Sequence, residues 1–161
     1  MFTTKLKKLA IKLISACREK NIKIASAESC TGGLIAGCIT SVAGSSDVFE
    51  RGFNTYSNEA KSELLSIPID VITSNGAVSK ATAIAMCEGA LKNAPVQLTI
   101  SVTGIAGPGG GTIEKPVGTV YMASARAGKS TIEKSYLFNG NRDQIRLYTI
   151  EKALELMLSQ T

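Results

Sequence analysis

A chain of 161 residues without a single histidine has lost the commonest general base and the commonest metal ligand. The chemistry left open to the run Ala27-Glu28-Ser29-Cys30-Thr31-Gly32-Gly33 is narrowed accordingly. This run follows a short apolar strand expected over 22–27 and precedes an amphipathic helix expected over 31–43. It places a hydroxyl and two glycines on a strand-to-helix turn, where the first backbone N–H groups of a helix lack internal acceptors. A hydroxyl beside such groups is the arrangement of a nucleophile with an oxyanion hole. A Ser-His-Asp triad and a His-based metal site are both ruled out, so a nucleophilic Ser29 needs another base, lysine first. A plainer alternative stands beside this one: Ser29 or Thr31 caps the helix and the glycines permit close packing.

Two further segments carry candidate chemistry. In Tyr56-Ser57-Asn58-Glu59-Ala60-Lys61, Ser57 is a helix N-cap and Lys61 falls near the first turn. The positive end of the helix dipole disfavours an ammonium there, which suits a lysine acting as a neutral base. A free lysine titrates near pH 10.4, and a base working at neutral pH needs a value of roughly 7–8. Burial and positive neighbours would have to supply that shift; an ordinary surface lysine is the alternative. The segment Thr103-Gly104-Ile105-Ala106-Gly107-Pro108-Gly109-Gly110-Gly111 leaves the end of a strand, where glycines let backbone N–H groups converge on an anion. It matches neither common phosphate-loop signature and is equally compatible with a flexible turn. Lys115 and Arg142 are placed to add charge for a phosphate.

These segments need a scaffold. The expected order is helix 4–20, strand 22–27, helix 31–43, a turn at Ser45-Ser46-Asp47, strand 51–56, and helix 57–66 ended by Pro68. Helix 79–93, strand 97–103, the glycine-rich loop 104–116, strands 117–126 and 130–138, and helix 142–159 complete it. In strand 97–103, Leu98, Ile100 and Val102 share one face and Thr99, Ser101 and Thr103 the other. Helices early and late with strands between them imply an α/β fold, a three-layer α/β/α sandwich on a mixed sheet, in one domain over 1–161.

Composition fits that picture, with 44% hydrophobic and 19% charged residues as in ordinary globular chains. No run approaches the roughly 18 apolar residues of a membrane span, and no secretory signal is visible. The basic amphipathic start reads as a docked helix, with Leu6, Leu9, Ala10, Leu13, Ile14 and Cys17 on one stripe, rather than as a transit peptide. The net charge of +5 is local: seven of the 18 basic residues lie between Lys5 and Lys23 with one acid, Glu19. One solvated helix face accounts for it, and no aromatic residues interleave with those lysines, so nucleic acid is not an expected partner. Cys17, Cys30, Cys38 and Cys87 show no C-x-x-C spacing, consistent with reduced thiols in the cytoplasm.

Taken together, A-E-S-C-T-G-G (27–33), F-E-R-G-F-N-T-Y-S-N-E-A-K (49–61), N-G-A-V-S (75–79), G-I-A-G-P (104–108), E-K-P-V-G-T-V (114–120) and G-x-R-D (140–143) resemble the C-terminal domain family of the competence/damage-inducible protein CinA, the nicotinamide-nucleotide amidases. The matches keep order and spacing over nearly the whole chain, in the form that lacks the N-terminal domain of larger members. The resemblance implies hydrolysis of nicotinamide mononucleotide to nicotinate mononucleotide and ammonia, within NAD recycling, by a Ser-Lys dyad falling on Ser29 and Lys61. It implies no metal and no cofactor. Amides around Thr31, Gly32 and Gly33 are then the expected oxyanion donors. Tyr56 is expected to orient Lys61 or border the ring, with Thr103, Gly104, Ala106, Gly107 and Arg142 around the ribose phosphate. Cys30 is the rival nucleophile, disfavoured because thiolate catalysis normally draws on a histidine. A nucleotide-binding or regulatory module linked to competence, without catalysis, is the rival function. A homo-oligomer, with a dimer as one form, is expected, and no membrane partner.

Overall fold

The computed structural model describes residues 2–161. Helix α1 (Thr4–Glu19) begins at Thr3, whose hydroxyl oxygen accepts the Leu6 N–H at 3.3 Å. It buries Leu6, Ala10, Leu13, Ile14 and Cys17 and leaves Lys5, Lys7, Lys8 and Lys12 in solvent. The basic start is therefore a docked helix whose apolar stripe faces the core. Strand β1 (Ile24–Glu28) follows, then helix α2 (Leu34–Thr40), a short 3-10 turn (Ser45–Asp47) and strand β2 (Phe49–Asn54). Helices α3 (Asn58–Leu65), α4 (Ile69–Asn75) and α5 (Lys80–Asn93) lead to strand β3 (Leu98–Gly104). Strands β4 (Thr119–Arg126) and β5 (Ile132–Leu137) and helix α6 (Arg142–Gln160) close the chain.

The five strands form one sheet in the order β2-β1-β3-β4-β5. β1 runs parallel to β2 and β3, while β4 and β5 are antiparallel additions. The sheet is thus mixed, as expected. Ile24 of β1, Leu98, Ile100 and Val102 of β3, and Val120 and Met122 of β4 pack with α1, α2 and α6 in the largest apolar cluster. On the opposite face Ala123 and Ala125 meet Ala83 and Cys87 of α5, and Ala27 meets Leu65, Ile72 and Met86 of α3, α4 and α5. Two helical layers on a central sheet make the α/β/α sandwich.

The polar face of β3 is buried too. Thr99, Ser101 and Thr103 donate their hydroxyls to the carbonyls of Cys87, Ala83 and Ala77, at 2.9, 2.5 and 2.7 Å. Buried hydroxyls cost little once bonded, so this row fastens the sheet to α5 and the segment before it. Gly89 lets α5 approach α3; a Cβ there would lie 2.3 Å from the Leu65 carbonyl oxygen.

Most element ends shift from expectation by a residue or two, and three departures have a clear local origin. Helix α2 starts at Leu34 rather than 31, because Gly32 and Gly33 sit at φ +60° and +92°, outside the right-handed helix region. Helix α4 lies outside the expected order: Pro68, expected to end one helix, also stands at the start of the next. Strand β2 begins at Phe49, two residues early, where its register against Ile24 of β1 starts.

Candidate active site

Ser29 follows the last residue of β1, and its N–H donates to the Val102 carbonyl at 3.1 Å, so the neighbouring parallel strand fixes its height. Lys61 lies in the first turn of α3. That helix is started by Ser57, whose hydroxyl oxygen accepts the Ala60 N–H at 3.0 Å. The Lys61 side chain is turned inward and is 1% exposed. Its Nζ is 3.2 Å from Ser29 Oγ and contacts the carbonyl oxygens of Thr55, Tyr56 and Ser57 at 3.0, 3.3 and 3.4 Å. The structure thus brings together two residues 32 apart in sequence. Burial is the largest influence on this amine and pushes its pKa below the ordinary value of 10.5, with Cys30 and Glu59 opposing. A neutral amine has two N–H bonds for the carbonyls and one lone pair, which in this position can face the Ser29 hydroxyl.

Cys30 is adjacent and buried, and burial pushes its thiol up to about 12. A thiol held that far above neutral pH is a poor nucleophile. The two neighbours on one turn therefore differ in kind: a hydroxyl with an amine beside it, and an inert thiol.

A cleft of about 220 Å³ opens in front of the pair, lined by Ser29, Cys30, Tyr56, Lys61, Thr103, Ala106 and Arg142 among others. Gly104, Ala77 and Val78 complete the wall. Arg142 begins α6 and donates from Nη1 to the Gly107 carbonyl at 2.8 Å and from Nη2 to the Tyr56 hydroxyl at 3.4 Å. Tyr56 is 64% exposed, so these two side chains stand at the mouth rather than the floor. Gly107 is buried and is not among the lining residues, and its carbonyl accepts from Arg142. The Thr103 hydroxyl already donates to the Ala77 carbonyl, leaving it only as an acceptor toward a ligand.

The oxyanion expectation needs correction at the glycines. Glu28 is 1% exposed, and its carboxylate accepts from the N–H groups of Gly33, Ile35 and Ala36 at 3.1, 3.0 and 2.8 Å. It also accepts from the hydroxyls of Ser26 and Thr31 at 3.1 and 2.7 Å. The N-terminus of α2, where an anion was expected to bind, is filled by a carboxylate of the chain itself. Gly32 N–H donates to the Ser29 carbonyl at 3.1 Å. Among the described residues, the amides of this turn without a backbone acceptor are those of Cys30, which reaches only its own thiol, and Thr31, and of the two residues Cys30 lines the cleft.

Glu28, Ala77, Val78 and Arg146 were not singled out as site residues from sequence, although Glu28 and Arg146 left a trace. Ile24, Ser26 and Glu28 alternate onto one face of β1, and a carboxylate in a buried stripe needs partners. Arg146 lies four residues beyond Arg142 and so shares its helix face. Ala77 and Val78 carry no reactive group; Lys115, expected near a phosphate, instead donates to the Val78 carbonyl at 2.7 Å. Among the described residues no helix is long and apolar enough to cross a membrane.

Comparison with known proteins places these features in a wider set. The CinA C-terminal domain family matches residues 6–161. Nicotinamide-nucleotide amidohydrolase PncC of Escherichia coli K12 is 42% identical over 160 residues, covering 99% of this chain and 97% of that protein. A CinA-like protein of Geobacter sp. strain M21 is 52% identical over 142 residues, 88% of this chain and 34% of that protein. The chain thus spans about a third of the length of these longer relatives. The crystal structure of the competence/damage-inducible protein CihA from Agrobacterium tumefaciens shares the fold with a TM-score of 0.97, at 41% identity over 99% of this chain and 97% of that one.

Proposed function

We propose that this chain, which belongs to the CinA C-terminal domain family, is an amidohydrolase that converts nicotinamide mononucleotide to nicotinate mononucleotide and ammonia. The observation that carries this is the contact of buried Lys61 Nζ with Ser29 Oγ at 3.2 Å in a cleft. The full-length likeness to an amidohydrolase supports the substrate class.

In the proposed reaction, neutral Lys61 takes the Ser29 proton as Oγ attacks the carboxamide carbon, and the carbonyl oxygen becomes an oxyanion. The amide of Cys30, which lines the cleft, holds it, in place of the glycine amides engaged within the turn. Lys61, now an ammonium, returns its proton to the amide nitrogen as the C–N bond breaks and ammonia leaves. Water then attacks the ester carbonyl while Lys61 takes its proton, and Ser29 Oγ leaves with that proton restored. The pyridinium of the substrate is itself cationic, which further disfavours a protonated Lys61 beside it. The cleft is smaller than the ~300–1,000 Å³ that encloses drug-sized ligands. The amide and ring would fill it, and the ribose phosphate would extend toward Arg142 at the mouth. No step calls on a metal or cofactor. We place this activity in one domain, in the cytoplasm, within pyridine-nucleotide recycling, and in a homo-oligomer.

Ammonia release from nicotinamide mononucleotide tests the reading. Ser29→Ala should lower turnover by at least about 10³-fold, whereas Cys30→Ala should keep most of it. The reverse pattern would move the nucleophile to Cys30. No ammonia from the unaltered protein would favour a nucleotide-binding module without catalysis.

A further inference from the structure

Arg146 is a cation with no carboxylate partner among the described residues, and its Nε is buried without an acceptor. Removing part of a guanidinium from water without a counter-charge is unfavourable for stability, so the position calls for another explanation. Its Nη2 donates to the Thr31 carbonyl at 2.8 Å, across 115 residues of sequence. That carbonyl belongs to the same peptide unit as the Gly32 N–H, which donates to the Ser29 carbonyl at 3.1 Å. The Ser29 carbonyl in turn belongs to the same peptide unit as the Cys30 N–H, which among the described residues has no acceptor beyond its own thiol. Two peptide units therefore connect the guanidinium, head to tail, to the Cys30 N–H at the cleft. Hydrogen bonds in such a series polarise one another, and a cation at the acceptor end makes the terminal N–H a stronger donor.

We infer that Arg146 is a positioning residue that acts through the Thr31–Gly32 and Ser29–Cys30 peptides to orient and polarise the Cys30 N–H toward the developing oxyanion. This rests on the proposed amidohydrolase reading for its substrate, but not for its geometry. Arg146 does not line the cleft, so its role is positioning rather than contact with the substrate. The Thr31 hydroxyl is held from the other side by Glu28 at 2.7 Å, so the turn is gripped by a carboxylate and a guanidinium at one residue. The backbone at Gly32 accommodates this arrangement: at φ +60°, with Arg146 Nη2 3.4 Å from where a Cβ would stand, it takes a conformation most residues avoid. The charge of Arg146 reaches this turn, since it acts to lower the pKa of the neighbouring Cys30 thiol against the larger effect of burial.

The test compares unaltered protein with Arg146→Met and Arg146→Lys, each assayed well below its own unfolding temperature. With nicotinamide mononucleotide, Arg146→Met should lose roughly 10- to 100-fold in kcat, up to the low end of what deleting a whole oxyanion donor costs. Its KM should stay within about twofold, because the relay acts on charge that develops only in the transition state. Arg146→Lys, which keeps a cation in reach of the carbonyl, should recover most of the loss. The same variants are treated with diisopropyl fluorophosphate, where Ser29 Oγ displaces fluoride at phosphorus and the phosphoryl oxygen occupies the oxyanion position. Ser29 labelling, read by mass, should slow by a similar factor in Arg146→Met. Unchanged kcat and labelling, a loss confined to KM, or a loss that tracks only unfolding would overturn the inference. Failure of the unaltered protein to hydrolyse the nucleotide, with labelling still sensitive to Arg146, would overturn the substrate assignment and leave the relay standing.

Discussion

Ser29 and Lys61 illustrate how far a residue's chemistry is set by its surroundings. An exposed lysine at neutral pH is an ammonium and cannot accept a proton; Lys61 is enclosed, and its burial favours the neutral amine. The sign of the pH dependence follows. In the proposed mechanism only enzyme with unprotonated Lys61 is competent, so kcat/KM should rise with pH through the depressed pKa and level off before 10.5, the ordinary value. Lys61→Met should lose about 10²–10⁴-fold on the plateau above that pKa, the usual worth of a general base, and should lack the rise itself. Lys61→Arg should fare no better, since a guanidinium does not deprotonate in this range. A pH–rate profile of the three proteins checks this, and a flat or falling profile from pH 6 to 10 would be incompatible with a lysine base. From residue types, the absence of histidine pointed to lysine as the first candidate base, and it was the family resemblance that assigned the proposed pair to Ser29 and Lys61. The charged residues behind it were not legible, since a lone glutamate or arginine in a sequence says nothing about which amides and carbonyls it will meet.

At the scale of elements, the turn between β1 and α2 is built around Glu28. Its buried carboxylate accepts five hydrogen bonds and takes the place that a substrate anion was expected to occupy. Glu28→Gln keeps the shape but turns an NH₂ group toward at least two donors that had an acceptor. The loss should be about 3 kcal/mol or more of unfolding free energy, measured by urea denaturation with an unchanged slope. A loss below about 1 kcal/mol would mean that the carboxylate is not what holds the turn. Most elements could be read from periodicity, because α1, β3 and α6 carry clean apolar stripes. Helix α2 was overextended because Thr31-Gly32-Gly33 reads as a helical first turn unless the positive φ of both glycines is known. The hydroxyl row of β3 shows a similar limit. Alternation separated Thr99, Ser101 and Thr103 from the apolar face, and only packing revealed that helical carbonyls of α5 make burial of that row possible.

For the whole molecule, the cleft exists because five distant segments, among them the one before α5 that carries Ala77 and Val78, converge at the carboxyl ends of parallel strands β1 and β3. β1 brings Ser29, the start of α3 brings Lys61, the loop after β3 brings Ala106, and the first turn of α6 brings Arg142. The placement agrees with the general rule for ligands in open α/β sheets, and strand order is the part of it that no local pattern encodes. The excess positive charge sits on α1, in the layer α1 shares with α2 and α6, and takes no part in lining the cleft. The central claim is that Ser29 forms an ester with the acyl group of the nucleotide and that water releases it. The most direct measurement is rapid acid quench of the protein with nicotinamide mononucleotide, followed by peptide mass spectrometry. The account predicts an adduct equal to the substrate less ammonia on the peptide carrying Ser29, formed before steady state and absent in Ser29→Ala. Turnover without any adduct, or an adduct placed on Cys30, would contradict it.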